Sequence, residues 1–174
     1  MNLNLQEQDF LIDKLTESIE NTITGERFTT EIANVSTTDL KKINKKNNWL
    51  FNWKKEFNEN NRQVFKLYIS GNFKIIQGLI SLEIKEDHVY IHLIESSPFN
   101  KGKTKIYAWV AGNLVAFACK FSFDNGHLGN VSFLSKTQLI DHYIESLGAF
   151  HFGGRIMIIE TKAAIKLIDK YFKS

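Results

Sequence analysis

Glu83, His92 and Glu95 are the proton-transfer candidates of this 174-residue chain, because each lies in or at the end of a strand-like run. A carboxylate or an imidazole held in such a place can take a proton from a reacting group. Residues 92 and 95 differ by an odd number, so a regular strand turns them to opposite faces. A bulge between them would bring them to one face. The base thus stays open among Glu95, Glu83 and His92, beside relay by water. Val110, Ala111, Gly112 and Asn113 open a helix-patterned run. A helix start offers unpaired N–H groups to a pyrophosphate, and small residues let the phosphate approach. His88 and His92 share a strand face, but four residues span about 13 Å, too far for one ion. His127, His142 and His151 have no ligand spacing, so no metal is expected. Cys119 sits among Phe117, Ala118 and Phe121 and is expected to be a plain core thiol.

The elements that must carry these residues follow from period and punctuation. Gln6 to Glu20 has Leu11, Leu15 and Ile19 at helical spacing. Thr22 to Phe28 is expected to turn at Gly25-Glu26, leading into a strand that ends near Val35. Ser36-Thr-Thr-Asp39 has the form of a capping box, opening a helix through Leu40 and Ile43. Trp49 to Phe57 is expected to be a second short helix. Three strands follow, Val64–Ile69, Ile75–Ile84 and His88–Glu95, joined by short turns as an antiparallel meander. A loop with the only proline, Pro98, precedes a helix from Val110 to near Gly126. Val131–Leu134 is a short strand. Ser135-x-x-Gln138 is a second capping-box pattern, opening a helix that Gly148 closes. A hairpin turning at Gly153-Gly154 and a helix from Thr161 to Phe172 complete the chain. The step from Glu95 to Leu134 is a βαβ unit in an otherwise antiparallel sheet, which exposes strand and helix ends to a ligand.

Composition narrows the classes. Hydrophobic residues make up 43% and charged residues 24%, as in an ordinary globular protein. The length fits one domain over 1–174, with 1–27 as an N-terminal helix-and-hairpin extension and 161–174 as a C-terminal helix. No apolar run approaches the roughly eighteen residues a membrane span needs. Met1 to Asp9 is polar and acidic, which argues against a secretory signal. The single cysteine fits a reducing compartment, so the cytoplasm is expected. A net charge of +3 is too balanced for general nucleic-acid binding.

This order of elements resembles the GNAT superfamily of N-acetyltransferases over roughly Phe28 to Glu160. The residues that carry the resemblance are Tyr90-Ile-His-Leu-Ile-Glu95, Ser-Ser-Pro98 and Val110-Ala-Gly-Asn-Leu114. A later helix ends Tyr143-Ile-Glu-Ser-Leu-Gly-Ala149, with one residue more before Leu-Gly than the family's Tyr-x-x-Leu-Gly-Phe. The family's phosphate-loop pattern places Ile106, Trp109 and Ala111, or in the next register Tyr107, Val110 and Gly112, at its key positions. Neither register is a full match.

The resemblance implies an α/β fold, a mixed, mostly antiparallel sheet of about seven strands flanked by helices. It implies direct acetyl transfer from acetyl-CoA, as co-substrate, to an amine. It places the acetyl carbonyl by the backbone of Ile94 to Ser96 and the pyrophosphate by Val110, Ala111, Gly112 and Asn113. Tyr143 becomes the acid that protonates the thiolate, with His142 as fallback, and Glu95 becomes the leading base. Trp49 and Trp53, with Phe51 between them, either line the acceptor pocket or anchor a short helix in the core. The acceptor is a small-molecule or peptide amine, and a homodimer is compatible. The alternative is a GNAT-like module that binds acyl-CoA or a partner without catalysis, which Trp109 at a glycine position favours.

Overall fold

The computed structural model describes residues 17–135 and 137–172. In chain order the strands are β1 (Glu17–Asn21), β2 (Arg27–Asn34), β3 (Gln63–Ile69), β4 (Gly78–Ile84) and β5 (Val89–Ser96). They continue as β6 (Tyr107–Ala108), β7 (Val131–Leu134), β8 (Phe150–Gly153) and β9 (Ile156–Ile159). The helices are α1 (Thr37–Leu40), α2 (Trp53–Asn58), α3 (Val110–Asp124), α4 (Ile140–Leu147) and α5 (Thr161–Phe172). The strands form one sheet in the order β6-β1-β2-β3-β4-β5-β7-β9-β8. The α/β, mostly antiparallel reading holds, but the described sheet has nine strands rather than about seven. The residues expected as the end of the first helix supply β1, Thr22–Glu26 forms its turn into β2, and the loop before α3 supplies the two-residue β6 beside it.

Of the helix expected over Gln6–Glu20, residues 6–16 lie outside the described residues, and Glu17–Asn21 is strand β1. Ile19 is fully buried and pairs with Phe28 across the turn, so sheet pairing overrides a spacing of four that fits a helix. The capping box at Ser36 forms in full, Ser36 Oγ accepting from Asp39 N and Asp39 Oδ2 from Ser36 N, yet its helix ends at Leu40. The helix expected from Trp49 begins only at Trp53, where the Asn52 side chain caps Lys55 N–H. Ser135 pairs its N–H with Arg155 O and its carbonyl with Arg155 Nε, and a 3-10 turn at Thr137–Leu139 leads into α4.

Two apolar clusters sandwich the sheet. On one face Leu67, Ile80, Leu82, Val89, Ile91, Val131, Met157 and Ile159 pack under α3, α4 and α5. On the other, Val35, Ile43, Trp49, Trp53, Val64, Ile76 and Leu79 form a smaller core beneath α2 and its flanking loops. Cys119 is fully buried in the larger cluster, and desolvation pushes its thiol up to about 12. It is an inert core residue, as expected. No described helix is long and apolar enough to cross a membrane.

Candidate active site

β4 runs regularly, with Gly78, Ile80 and Leu82 toward the larger core and Leu79, Ser81 and Glu83 toward the smaller one. β5 does not. Ser81 pairs with Leu93 and Leu82 with Ile91, so His92 is one residue extra on β5. Such a bulge reverses the phase of a strand. Before it, Val89 and Ile91 face the larger core; after it, Leu93 packs on the smaller core and Ile94 on the larger. His92 and Glu95 consequently share the face that their odd spacing alone would deny them.

The bulge also marks where the sheet opens. β5 pairs in parallel with β7 only over Val89–Ile91 against Val131–Phe133. Beyond that point the strands part, and a groove of about 510 Å³ runs along the free edge of β5. His92, Leu93, Ile94 and Ser96 line one wall, Phe133, Leu134, His142 and Tyr143 the other, and Val110, Ala111 and Gly112 close its end. A free strand edge offers N–H and C=O groups in a fixed row, suited to the amides of an extended ligand.

His92 Nε2 lies 2.5 Å from Glu83 Oε2. Hydrogen bonds from Lys85 and His92 hold the Glu83 carboxyl down at about 2, so it is ionised and accepts only. His92 Nε2 is then the donor to Glu83, and in the neutral imidazole Nδ1 is the lone-pair nitrogen. The Tyr90 ring stands edge-on to the imidazole at 4.6 Å and fixes it from the side.

Tyr143 lines the opposite wall, its ring edge-on to Phe133 at 5.2 Å. Desolvation pushes its phenol above the ordinary value of 10, so it stays protonated at neutral pH. His142 lines the same wall.

Glu95 is not at the groove. Glu95 is 4% exposed, and its carboxylate accepts from Leu50 N–H, Phe51 N–H, Trp53 Nε1 and Lys101 Nζ at 2.8, 3.2, 2.8 and 2.5 Å. Burial pushes its pKa up, but the Leu50 N–H, the Lys101 ammonium and the Trp53 indole win and hold it below the ordinary range. Four donors fill the lone pairs of a carboxylate, so none is left for an amine proton. The expectation of Glu95 as base is therefore corrected: it ties the 50–53 loop to the end of β5. Trp49 and Trp53 are corrected with it. Both are buried in the smaller core, and the Trp53 indole serves Glu95 rather than an acceptor.

At the start of α3, Val110, Ala111 and Gly112 border the groove as expected, and Asn113 does not. Asn113 is fully buried, and both its backbone N–H and its Nδ2 donate to the Trp109 carbonyl. Gly112 has a reason the sequence hid: a Cβ there would overlap the Tyr171 hydroxyl, where α5 crosses α3. Trp109 caps the helix with φ of +72°, the left-handed region that favours glycine. Its ring borders the groove, with the Arg27 guanidinium 5.2 Å from the ring centre. Lys105, Lys170 and Tyr171 also line the groove and were not anticipated. The only signal for Tyr171 was a glycine, Gly112, inside a helix without need of a turn.

No family model matches this chain, and no curated protein does either. Solved structures do. A mutant form of the Vibrio cholerae spermidine N-acetyltransferase SpeG aligns at TM-score 0.56 and 18% identity, over 78% of this chain and 96% of its own. A chimera of that enzyme with hSSAT aligns at 0.53 and 19%, over 78% and 98%. The Escherichia coli ribosomal-protein-S18-alanine N-acetyltransferase aligns at 0.50 and 15%, over 74% and 90%. The chain has the GNAT N-acetyltransferase fold. The βαβ splay between β5 and β7, with α3 between them, is the part of the GNAT fold that its sequence outlines.

Proposed function

We propose that this chain is an acetyl-CoA-dependent N-acetyltransferase that transfers acetyl directly to an amine. The observation that carries the reading is the groove at the β5–β7 splay, which holds an imidazole on one wall and a phenol on the other. The free edge of β5 at Ile94 and Ser96 would hold the pantetheine amides and the acetyl carbonyl. Val110, Ala111 and Gly112 at the helix start, with Lys105 and Lys170, would face the pyrophosphate.

The amine lone pair attacks the thioester carbonyl carbon, forming the C–N bond, and the ammonium proton passes to His92 Nδ1. Glu83 holds the imidazole in the right tautomer and stabilises the imidazolium that forms. As the tetrahedral intermediate collapses, the C–S bond breaks and the Tyr143 hydroxyl protonates the leaving thiolate. His92 and Tyr143 then exchange protons with water. The net change is amide and free CoA from amine and thioester. Strand-edge N–H groups at the splay supply the dipoles that stabilise the oxyanion.

A cytoplasmic location accords with the single, buried cysteine. Trp109 favours a second reading, a module that binds acyl-CoA without catalysis, because its ring stands where the pyrophosphate would approach. Calorimetry with acetyl-CoA and free CoA, followed by CoA release with a panel of amines, separates the two. Binding without release on any amine would favour the module. No binding at millimolar acetyl-CoA would remove both.

A further inference from the structure

We infer that the acceptor is a monoamine carried on an apolar body, not a polycation. The inference rests on the acetyl-transfer reading above, and it comes from charge and exposure around His92.

Four carboxylates on the His92 face of β3, β4 and β5 and of the helices over them, Asp39, Glu56, Glu83 and Glu95, already have a cation. Asp39 holds Lys66 at 2.9 Å, Glu56 holds Arg62 at 2.6 Å and Glu95 holds Lys101 at 2.5 Å. Glu83 is shared between Lys85 and His92. The one carboxylate in the lining of the groove, Glu145 on α4, also borders the hollow lined by Lys162, Lys166 and Lys170, three cations that compete for it. A second or third ammonium of a polyamine would be desolvated at the groove with only this shared carboxylate as counter-charge, and an unpaired buried ion costs several kcal/mol.

The groove opens instead onto an apolar sheet face. Leu134 lines it and pairs with Ile156; Phe150 pairs with Ile158 two rungs further, on the same face. These side chains lie opposite the larger core, since their strand neighbours Phe133, Met157 and Ile159 are buried in it. Leu134 is 52% exposed and Ile156 41%, and the ring of Phe152, 66% exposed, lies 6.5 Å from that of Phe150. This exposed face is continuous, through Leu134, with the wall opposite His92. An amine whose nitrogen reaches His92 would lay its body along Leu134 and Ile156. Burial of that body supplies affinity that paired carboxylates cannot.

The test is a CoA-release assay on purified protein with phenethylamine, the dipeptide Phe-Gly, hexylamine, putrescine and spermidine, beside calorimetry with acetyl-CoA. Phenethylamine or Phe-Gly should exceed spermidine in kcat/KM by at least about tenfold, and their ratio tells a free amine from a chain N-terminus. Leu134→Asp should lower kcat/KM for the apolar amines by about tenfold, the equivalent of about 1.4 kcal/mol. Ile156→Thr, outside the groove lining, should lower the same kcat/KM and leave acetyl-CoA affinity unchanged. Because Leu134 and Ile156 are surface residues, Leu134→Asp and Ile156→Thr are expected to fold, which circular dichroism checks. Preference for spermidine or putrescine, or acetyl-CoA binding with no turnover of any apolar amine, would overturn the inference. Absence of acetyl-CoA binding is the separate failure of the acetyl-transfer reading itself.

Discussion

His92 and Glu83 are joined by a 2.5 Å hydrogen bond at the position where β5 has a residue more than β4. The bulge gives the imidazole its place at the mouth of the splay, and the carboxylate gives it its tautomer. His92→Gln should lower kcat by roughly 10²- to 10⁴-fold with acetyl-CoA affinity nearly unchanged. Glu83→Gln should cost less, because the imidazole remains. Stopped or continuous CoA-release assays on the three proteins make the comparison. A His92→Gln enzyme with wild-type kcat would return the proton to water.

Tyr143→Phe keeps the ring against Phe133 and deletes only the hydroxyl. It should leave Tm and acetyl-CoA affinity close to wild type and lower kcat by roughly 10²- to 10⁴-fold. If kcat holds and His142→Gln is inactive instead, the residue added before Leu147-Gly148 has moved the acid by one position.

Stability should depend on Glu83 in a defined pH window. Its folded pKa, about 2, lies below the ordinary value of 4.5. The folded state therefore binds the proton less tightly than the unfolded chain. The stabilisation is fully present above about pH 5 and is lost as pH falls through the folded value. Glu83→Gln should lower Tm near neutral pH and converge on wild type in acid, as thermal melts at successive pH values would show. Parallel curves would mean that the Lys85 and His92 contacts do not stabilise the fold.

Glu95→Ala would leave the Trp53 indole, two backbone N–H groups and the Lys101 ammonium without their acceptor. Removing one partner of a buried charged pair costs about 3–5 kcal/mol, or a Tm loss of roughly 10 °C at about 2–4 °C per kcal/mol. Glu95→Gln should fall between, since it keeps one acceptor oxygen. A Glu95→Ala protein that melts like wild type would show that the 50–53 loop is not held from β5.

Gly112→Ala drives a methyl group into the Tyr171 hydroxyl. Denaturant unfolding should show it destabilised by about 1–3 kcal/mol. Adding Tyr171→Ala should recover part of that loss, a coupling of about 0.5–3 kcal/mol for residues in contact. Strict additivity would mean that α3 and α5 do not touch at this pair.

The order of elements was legible in the sequence because it rests on local rules. The β-prone run Val64–Ile69, alternation in Ile80–Ile84, the helical spacing of Val110–Phe121, and Gly148 in the left-handed position after α4 are each decided within a few residues, whereas the single face expected for Val89, Ile91 and Leu93 is broken by the bulge. Together they outlined the β5–α3–β7 step with Val110–Gly112 at its helix start; the resemblance to GNAT acetyltransferases added Tyr143, Ile94 and Ser96.

What the sequence could not decide was how the faces were allotted. A bulge shifts every later side chain by one, and nothing in Ile-His-Leu-Ile-Glu says where the extra residue falls. That single shift placed His92 beside Glu83 and turned Glu95 into the smaller core, where Trp53 and the 50–53 loop saturate it. Gly112 likewise answers to Tyr171, far along the chain, because helix crossing sets the space at a Cβ, whereas local spacing sets only the helix. Propensity and period act over a turn or two of chain; register, phase and desolvation are settled only when distant elements compete for the same side of a sheet.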